Sequence, residues 1–461
     1  MPSTGDYLLI GAVAGVATFA FTPLVGAFAR WRGWLYEPND RTVHTAPMPA
    51  IGGLAMFLGL AVALSVAFAL DRFDGLFARN SEPQGVLIAA AIIVVLGLLD
   101  DIRGISAPAK VTGTVIAGLA LVWFGVVMYY FRLPFLGVFY LADDWLPLVT
   151  VLWLLGMTQA INLIDGLDGL AAGIVAIGAG AFFLYSQRLA DVERVTTPNI
   201  GPLIAIIAVG LCVGFLPHNF NPARIIMGDT GAMLLGLLLA VATSVVGGRT
   251  DPDQQFVGQT YFFLAPIVLP LFILGIPVLD LLFAIVRRAT RRKALDVADK
   301  GHLHHRLMNL GHGHRRSVVI LWAWTALLSA FVLYPILSGE NPTYLPFGMA
   351  ALGIVLYTIL HPSVRKSRSY DLIGLVSAKR RARRSDAGAH HPVVAVGATG
   401  QQFAGGVGDG RPAHPAQRAP DGDPGDPRLG QLGDARPARG EDDVDRTLEL
   451  PKHGADLGDV G

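Results

Sequence analysis

Long apolar runs are the feature that most restricts the fold of this chain. A helix needs about 20 apolar residues to cross the roughly 30 Å hydrocarbon core of a bilayer, and eleven runs of about this length occur along the sequence. Hydrophobic residues make up 52% of the chain and charged residues 15%, which is too apolar for an ordinary soluble domain. We therefore predict an all-α polytopic membrane protein with about eleven transmembrane helices. The runs lie at approximately 8–29, 51–70, 84–99, 110–130, 145–161, 169–187, 201–217, 231–247, 261–286, 317–338 and 345–361.

Basic residues predict how these helices are oriented. Cytoplasmic loops of membrane proteins are enriched in Lys and Arg, and alternate loops of this chain differ strongly in their content of both. The loops on one side contain few basic residues, each accompanied by Asp or Glu, so we assign the other side to the cytoplasm. The N-terminus is then outside the plasma membrane and the C-terminus inside. The assigned cytoplasmic loops contain Arg30, Arg32, Arg41, Arg103, Lys110, Arg224, Arg287, Arg288, Arg291, Arg292, Lys293, Lys300, Arg306, Arg315 and Arg316.

The two ends of the chain differ in character. The first run is long for the core of a cleaved signal peptide and no basic residue precedes it, so we predict a retained helix. Residues 1–365 form the predicted transmembrane domain. Residues 366–461 begin with a basic stretch and then become rich in Gly and Pro, without an aromatic residue after Phe403. Such a composition cannot bury enough apolar surface to fold, so we predict a disordered cytoplasmic tail.

Polar clusters interrupt the apolar pattern at five places. All five lie in predicted cytoplasmic loops or at the helix ends that lead into them. Acidic residues at membrane depth are costly and are retained mainly where they line a hydrated cavity or bind a ligand. We therefore expect the functional site at the cytoplasmic face. The clusters are "RTVHTAPMPAIGG" (41–53), "DDIRGISAPAK" (100–110), "NLIDGLDG" (162–169), "HNFNPARIIMGDTG" (218–231) and "DKGHLHHRL" (299–307).

Five aspartates in three of these clusters predict a cation site. Asp165 and Asp168 are three positions apart with a glycine beside each, so both can face one spot while a ligand approaches the backbone. Asp100 and Asp101 have an alternative interpretation as a solvated helix end. For Asp229 the alternative is that this residue, or the threonine after it, caps the next helix. Oxygen-rich carboxylate clusters suit Mg²⁺, completed by water and substrate phosphates, better than zinc.

The remaining clusters also allow simpler interpretations. In the 41–53 cluster, prolines and glycines predict a stiff turn followed by a close approach of two backbones, or only a tight loop. The histidines His302, His304 and His305 could bind a transition metal, line a solvated loop, or donate hydrogen bonds to phosphate or sugar hydroxyls. The adjacent arginine-rich loop favours the last of these. The single cysteine, Cys212, excludes a disulfide framework and a multi-cysteine metal site.

Taken together and in this order, the five clusters resemble those of the polyprenyl-phosphate N-acetylhexosamine-1-phosphate transferase family, glycosyltransferase family 4, over roughly residues 30–316. The "HLHHRL" stretch is similar to the branch that uses UDP-N-acetylglucosamine rather than UDP-N-acetylmuramoyl-pentapeptide. The resemblance implies that a polyprenyl phosphate attacks the β-phosphorus of the UDP-sugar, with Mg²⁺ or Mn²⁺ as cofactor. The implied products are polyprenyl-diphospho-N-acetylglucosamine and UMP, formed in the first membrane step of a cell-envelope glycan of arabinogalactan linkage-unit, teichoic acid or O-antigen type.

The resemblance also implies roles for individual residues. Asp229 resembles the metal ligand, and Asp165 and Asp168 resemble acids of the metal or pyrophosphate site. Asp100 and Asp101 match the acidic pair that is proposed to activate the lipid phosphate, so these two are catalytic candidates together with Asp165 and Asp168. The implied substrate-binding residues are Lys110, which resembles the basic residue that meets phosphate, and His44, Asn162, Asn219, Arg224, His302, His304, His305 and Arg306.

The chemistry of the lipid phosphate predicts which acid is most important for turnover. Its second pKa is about 6, so it is mostly a dianion near pH 7 and a dedicated base would contribute little. Loss of the metal, by contrast, should remove several kcal/mol of charge stabilisation. We therefore predict that Asp229→Ala is more damaging than Asp100→Asn or Asp101→Asn.

Two other functions fit parts of the pattern. A CDP-alcohol phosphotransferase also has aspartates and a metal at a membrane face, but its motif requires an Arg soon after the first "DG" and two further spaced aspartates. A cation- or proton-coupled transporter would distribute its acids through the bilayer on facing repeats, and no inverted repeat is evident here. The expected partners are UDP-N-acetylglucosamine, polyprenyl phosphate and the membrane, without nucleic acid; a homodimer is an open alternative to a monomer.

Overall fold

The computed structural model describes the greater part of the first 360 residues. Every described residue belongs to the first of the two units into which the chain divides, Met1–His390. The predicted tail, 366–461, lies outside the described residues, as does the predicted span at 261–286 apart from residue 275. The described residues are 2–37, 46–78, 80–133, 137–191, 198–247, 275, 307–308, 312–338 and 343–360.

Helices make up most of the described chain. In chain order they are α1 (Thr4–Arg32), α2 (Gly52–Ala69), α3 (Asp74–Phe77), α4 (Glu82–Arg103), α5 (Ala107–Trp123), α6 (Leu146–Ile164), α7 (Leu170–Asp191), α8 (Gly201–Asn219), α9 (Gly228–Gly247), α10 (His314–Ser338) and α11 (Leu345–Leu360). Eight of these described helices are long and apolar enough to cross a bilayer, by length and composition. Ten of the eleven predicted runs coincide with described helices, including the shorter α5 and α11. The prediction of an all-α polytopic membrane protein is confirmed.

Two short antiparallel ladders, which were not predicted, connect helix ends. Strand β1 (Leu35–Tyr36) pairs with β2 (Met48–Pro49) between α1 and α2. Strand β3 (Tyr130–Leu133) pairs with β4 (Gly137–Tyr140) between α5 and α6. The first ladder brings the end of α1 beside the residues that lead into α2.

The second ladder corrects the predicted span at 110–130. Helix α5 ends at Trp123, and the chain turns at Gly125, whose φ of 87° is readily adopted only by glycine. The apolar residues after this turn, Val126, Val127 and Met128, are buried inside the protein. Because a non-helical segment buried by protein and a lipid-crossing helix are equally apolar, hydrophobicity alone placed the end of this helix several residues too late.

Small residues let α1 and α8 approach closely. Gly11 and Gly15 of α1, and Gly210 and Gly214 of α8, are each spaced four positions apart and therefore share a helix face. A β-carbon on Gly210 would lie 2.1 Å from the Gly11 carbonyl oxygen, and one on Gly214 would lie 2.1 Å from the Gly15 carbonyl oxygen. Pairs of small residues at this spacing are typical of contacts between membrane helices.

Helix α9 lies at the centre of the described bundle. It contacts α2, α4, α6 and α8. Of its most apolar stretch of 18 residues, 94% is buried inside the protein. A helix that is apolar on every side suits such a buried position. Since α9 begins at Gly228, its first turn, which contains Asp229, is placed where the ends of its neighbours meet.

Candidate active site

The first turn of α9 is bound by a carboxylate from another helix. Asp101, near the end of α4, accepts hydrogen bonds from the Asp229 amide at 2.9 Å, the Thr230 amide at 3.1 Å and the Thr230 hydroxyl at 2.6 Å. The first amides of a helix have no acceptor within the helix and need one from outside. The alternative interpretation, in which Asp229 or Thr230 caps α9 with its own side chain, is therefore wrong. Asp101 supplies the cap from α4, which leaves the Asp229 carboxylate for other contacts.

Glycines allow α9 to reach this position. A β-carbon on Gly97 of α4 would lie 2.4 Å from the Thr230 Cα, and one on Gly53 of α2 would lie 2.1 Å from the Gly231 nitrogen. The Gly53 amide also donates to the Met227 carbonyl at 2.9 Å. The close backbone approach predicted for the 41–53 cluster is thus confirmed, and its partner is the "MGDTG" segment.

The Asp229 carboxylate joins three helix ends. It accepts hydrogen bonds from Lys110 Nζ, at the start of α5, at 2.5 Å and from Asn162 Nδ2, near the end of α6, at 3.2 Å. Lys110 also forms an ion pair with Asp100 at the end of α4. The other Asp100 oxygen accepts a hydrogen bond from the Ile105 amide at 2.8 Å. Predicted site residues from α4, α5, α6 and α9 therefore meet at one end of the bundle.

Asp165 adds a further carboxyl group to this end of the bundle. It follows the last residue of α6 and is half-buried. Burial, followed by repulsion from Asp229, Asp101 and Asp168, raises the pKa of Asp165 from 3.8 to about 8. Lys110 offsets part of the acidic charge, and the remainder makes this end of the bundle attractive to a cation.

The raised pKa predicts how stability depends on pH. In EDTA, we expect the midpoint of thermal unfolding to fall by a few degrees from about pH 5 to about pH 8. Folded Asp165 keeps its proton until about pH 8, whereas the unfolded side chain loses it near 3.8. The folded state therefore binds more protons in this window, and rising pH destabilises it.

Thermal unfolding in detergent, followed by intrinsic fluorescence, would measure this change. Asp165→Asn should flatten the pH dependence, while Asp144→Asn, at an exposed turn, serves as the matched control. An Asp165→Asn protein with the same pH dependence as the unaltered protein would contradict the prediction.

Asp168 and Asn219 bind the loop that follows α8. One Asp168 oxygen accepts hydrogen bonds from Asn221 Nδ2 at 2.9 Å and from a backbone amide two residues further on at 3.2 Å. Asn219 accepts from the Gly169 amide at 2.9 Å and donates to the Ile225 carbonyl at 3.0 Å. Both side chains thus fix the "DGLDG" turn to the segment that leads into α9. Their predicted roles at the metal and the substrate stay predictions.

Other predicted residues lie away from this cluster or outside the described chain. Arg224 is exposed, and its backbone amide donates to the His218 carbonyl at 2.9 Å. The following predicted substrate-binding residues lie outside the described residues: His44, His302, His304, His305 and Arg306. Their roles, and that of Arg224, stay predictions.

Three residues help to hold the site in place in ways that were not predicted from the sequence. Gly97 admits the start of α9, and its signal was an isolated glycine in an apolar run one helical turn before Asp101. Thr230 binds Asp101 from 129 positions away, and Asn221 binds Asp168 from 53 positions away. A single sequence carries no local signal for such distant pairs.

Comparison with known proteins identifies relatives of this chain. The model of glycosyl transferase family 4 matches residues 83–247. A decaprenyl-phosphate N-acetylglucosaminephosphotransferase of Mycobacterium leprae is 35% identical over 373 residues, which cover 79% of this chain and 92% of the relative. The protein of the same description from Mycobacterium tuberculosis is 37% identical, over 70% of this chain and 81% of the relative. A probable undecaprenyl-phosphate N-acetylglucosaminyl 1-phosphate transferase of Bacillus subtilis is 35% identical, over 70% and 83%.

Proposed function

This chain belongs to glycosyl transferase family 4, the polyprenyl-phosphate N-acetylhexosamine-1-phosphate transferases, and we propose that it transfers N-acetylglucosamine 1-phosphate from UDP-N-acetylglucosamine to a polyprenyl phosphate. The products would be polyprenyl-diphospho-N-acetylglucosamine and UMP. The descriptions of the relatives support the acceptor class and the transferred group, and the "HLHHRL" stretch supports the donor. We also propose that this reaction is the first membrane step of a cell-envelope glycan.

The observation that carries this proposal is the meeting of Asp100, Lys110, Asn162 and Asp229 at the ends of four helices. Phosphoryl transfer depends on charge neutralisation and in-line placement of the reactants more than on covalent help from the protein. Lys110 offers a positive charge to a phosphate, and the acids offer oxygen ligands to a cation. A helical bundle with both features at one end can take one substrate from the membrane and the other from water.

The donor atoms at this end suit a hard divalent cation, and we propose Mg²⁺, with Mn²⁺ as a substitute. In the described part of the chain, no three Asp, Glu, His or Cys side chains are grouped as a complete metal site. This fits Mg²⁺, which is usually held by one or two carboxylates and completed by water and substrate phosphates. Asp229 and Asp165 are the expected ligands, and Asp168, which already binds Asn221, is the weaker candidate. When bound, the cation would neutralise charge that develops on the transferred phosphate.

In the proposed reaction, an oxygen of the lipid phosphate forms a bond to the β-phosphorus of the UDP-sugar. The bond from that phosphorus to the bridging oxygen breaks, and UMP leaves with the electron pair. Because the lipid phosphate is mostly a dianion near pH 7, proton removal contributes little. Lys110 is placed to bind a phosphate oxygen, and its ion pair with Asp100 orients it.

We propose that this end of the bundle faces the cytoplasm, with the N-terminus outside the plasma membrane. The last turn of α1 contains Arg30 and Arg32, and that of α4 contains Arg103. Basic residues therefore gather at the end that carries the site, as expected of a cytoplasmic face.

The transporter alternative requires acids along the path through the bilayer. Within the described helices, however, acidic residues occur only near the helix ends, for example Asp6, Glu82 and Asp229. Acids confined to the ends favour a site at the membrane surface over a pathway through the bilayer.

The proposal is tested by incubating the purified chain with polyprenyl phosphate, Mg²⁺ and a panel of radiolabelled UDP-sugars. We expect label from UDP-N-acetylglucosamine to enter the organic phase with equimolar release of UMP. EDTA should abolish transfer, and excess Mg²⁺ or Mn²⁺ should restore it. Transfer from another UDP-sugar alone would correct the donor, whereas no transfer from any donor by folded protein, across several prenyl lengths, would refute the activity.

A further inference from the structure

Asp101 differs from its neighbour Asp100 in what its carboxylate contacts. The Asp101 Oδ1 accepts a hydrogen bond from the Asp229 amide, and Oδ2 accepts from both the amide and the hydroxyl of Thr230. Asp100 instead contacts the side chains of Lys110 and Asp229 and the Ile105 amide, and no backbone amide of α9. Three hydrogen bonds use most of the acceptor capacity of the Asp101 carboxylate and turn it towards the backbone of α9.

We propose that Asp101 is a positioning residue, which ties the first turn of α9 to α4 and thereby fixes the Asp229 carboxylate where it binds the cation. The inference rests on the proposed function, because Asp229 is taken as a cation ligand. A carboxylate is suited to this task, since it accepts hydrogen bonds from the free amides of a helix N-terminus and complements the positive end of the helix dipole.

The packing around these hydrogen bonds explains why the tie should matter. Thr230 is fully buried, and the Gly97 position leaves no room for a β-carbon between α4 and the start of α9. Gly97 and Asp101 are one turn apart on α4, so the glycine admits the first turn of α9 and the aspartate holds it. Loss of the hydrogen bonds would therefore shift Asp229 relative to Lys110 and Asn162, the partners of its side chain.

A general base at Asp101 would behave differently. Its removal would lower turnover and leave the affinity of Asp229 for a cation unchanged, and the Thr230 hydroxyl would have no part in the reaction. Removal of a positioning residue, by contrast, weakens cation binding. Loss of the Thr230 hydroxyl must then weaken it as well, because that hydroxyl is a partner of Asp101. These two outcomes separate the roles.

The test is Mn²⁺ binding to the purified full chain in detergent, measured by electron paramagnetic resonance, alongside kcat and KM for transfer. Removal of a residue that orients a metal ligand typically weakens metal binding by about 10- to 100-fold, and we expect Asp101→Ala to fall in this range. Thr230→Val should weaken binding several-fold, and Thr230→Ser, which keeps the hydroxyl, should restore it. The Asp101→Ala/Thr230→Val double variant should bind no more weakly than Asp101→Ala, since both changes remove the same contact.

Unchanged Mn²⁺ affinity in Asp101→Ala, or equal affinities in Thr230→Val and Thr230→Ser, would overturn the inference and leave the proposed function standing. If Asp101→Ala does not fold, the comparison of Thr230→Val with Thr230→Ser still tests the inference, because both of these variants keep the Asp101 charge. Failure of the unaltered protein to bind Mn²⁺ would instead refute the proposed cation site, and this inference with it.

Discussion

Asp229→Ala is expected to lower transfer by roughly a thousandfold or more, which corresponds to about 4 kcal/mol of lost transition-state stabilisation. Asp229 is the carboxylate on which Lys110 and Asn162 converge, and it is the proposed ligand of the cation. No other described side chain is hydrogen-bonded to both of those residues. Asp100→Asn should cost less, because it weakens the orientation of Lys110 and leaves the cation ligands in place.

The comparison is made as initial rates near pH 8 and at saturating Mg²⁺, where almost all of the lipid phosphate is ionised. Asp144→Asn, which changes an exposed carboxylate away from the site, is the matched control and should transfer at the unaltered rate. Thermal unfolding of each variant would show that the protein is folded. Near-equal losses for Asp229→Ala, Asp100→Asn and Asp101→Asn would contradict the ranking and favour a direct role for the pair on α4.

Gly228→Ala is expected to abolish most activity and to lower the thermal unfolding midpoint by several degrees. Gly228 has a φ of 72°, a conformation that costs other residues about 1–3 kcal/mol. In addition, a β-carbon there would lie 2.0 Å from the Ala50 carbonyl oxygen and 2.5 Å from Asp101 Oδ2. The added atom would thus push the start of α9 away from α2 and α4, together with Asp229.

Gly33→Ala separates the effect of backbone strain from the effect of the steric clash. Gly33 ends α1 with a φ of 73°, and among the described residues outside its own helix and its chain neighbours, none has an atom within 4 Å of the position that an added β-carbon would take. The substitution therefore adds the backbone strain without the clash. We expect Gly33→Ala to shift the unfolding midpoint by less than Gly228→Ala and to retain transfer, as measured by thermal unfolding and initial rates. Equal losses of activity in both variants would show that the approach of α9 to α2 and α4 is not what matters.

The sequence predicted the helices well and the loops less well. Lipid imposes a simple requirement, about 20 apolar residues per span, so composition located ten of the described helices. The same criterion failed after Trp123, where apolar residues are buried by protein in a non-helical segment. It also gave no sign of the two short ladders, because strands of two to four residues are too short to show an alternating pattern.

The sequence itself determined which residue types form the site and at which end of the bundle they meet. Acids and a lysine near the membrane are retained mainly where something offsets their desolvation. Only the tertiary structure decided which groups each acid contacts. Successive residues on a helix point about 100° apart, so Asp100 reaches Lys110 while Asp101 reaches the first turn of α9. Which neighbour each carboxylate meets depends on how closely the helices pack, and that is set by glycine contacts between residues far apart in the chain, such as Gly53 with Gly231.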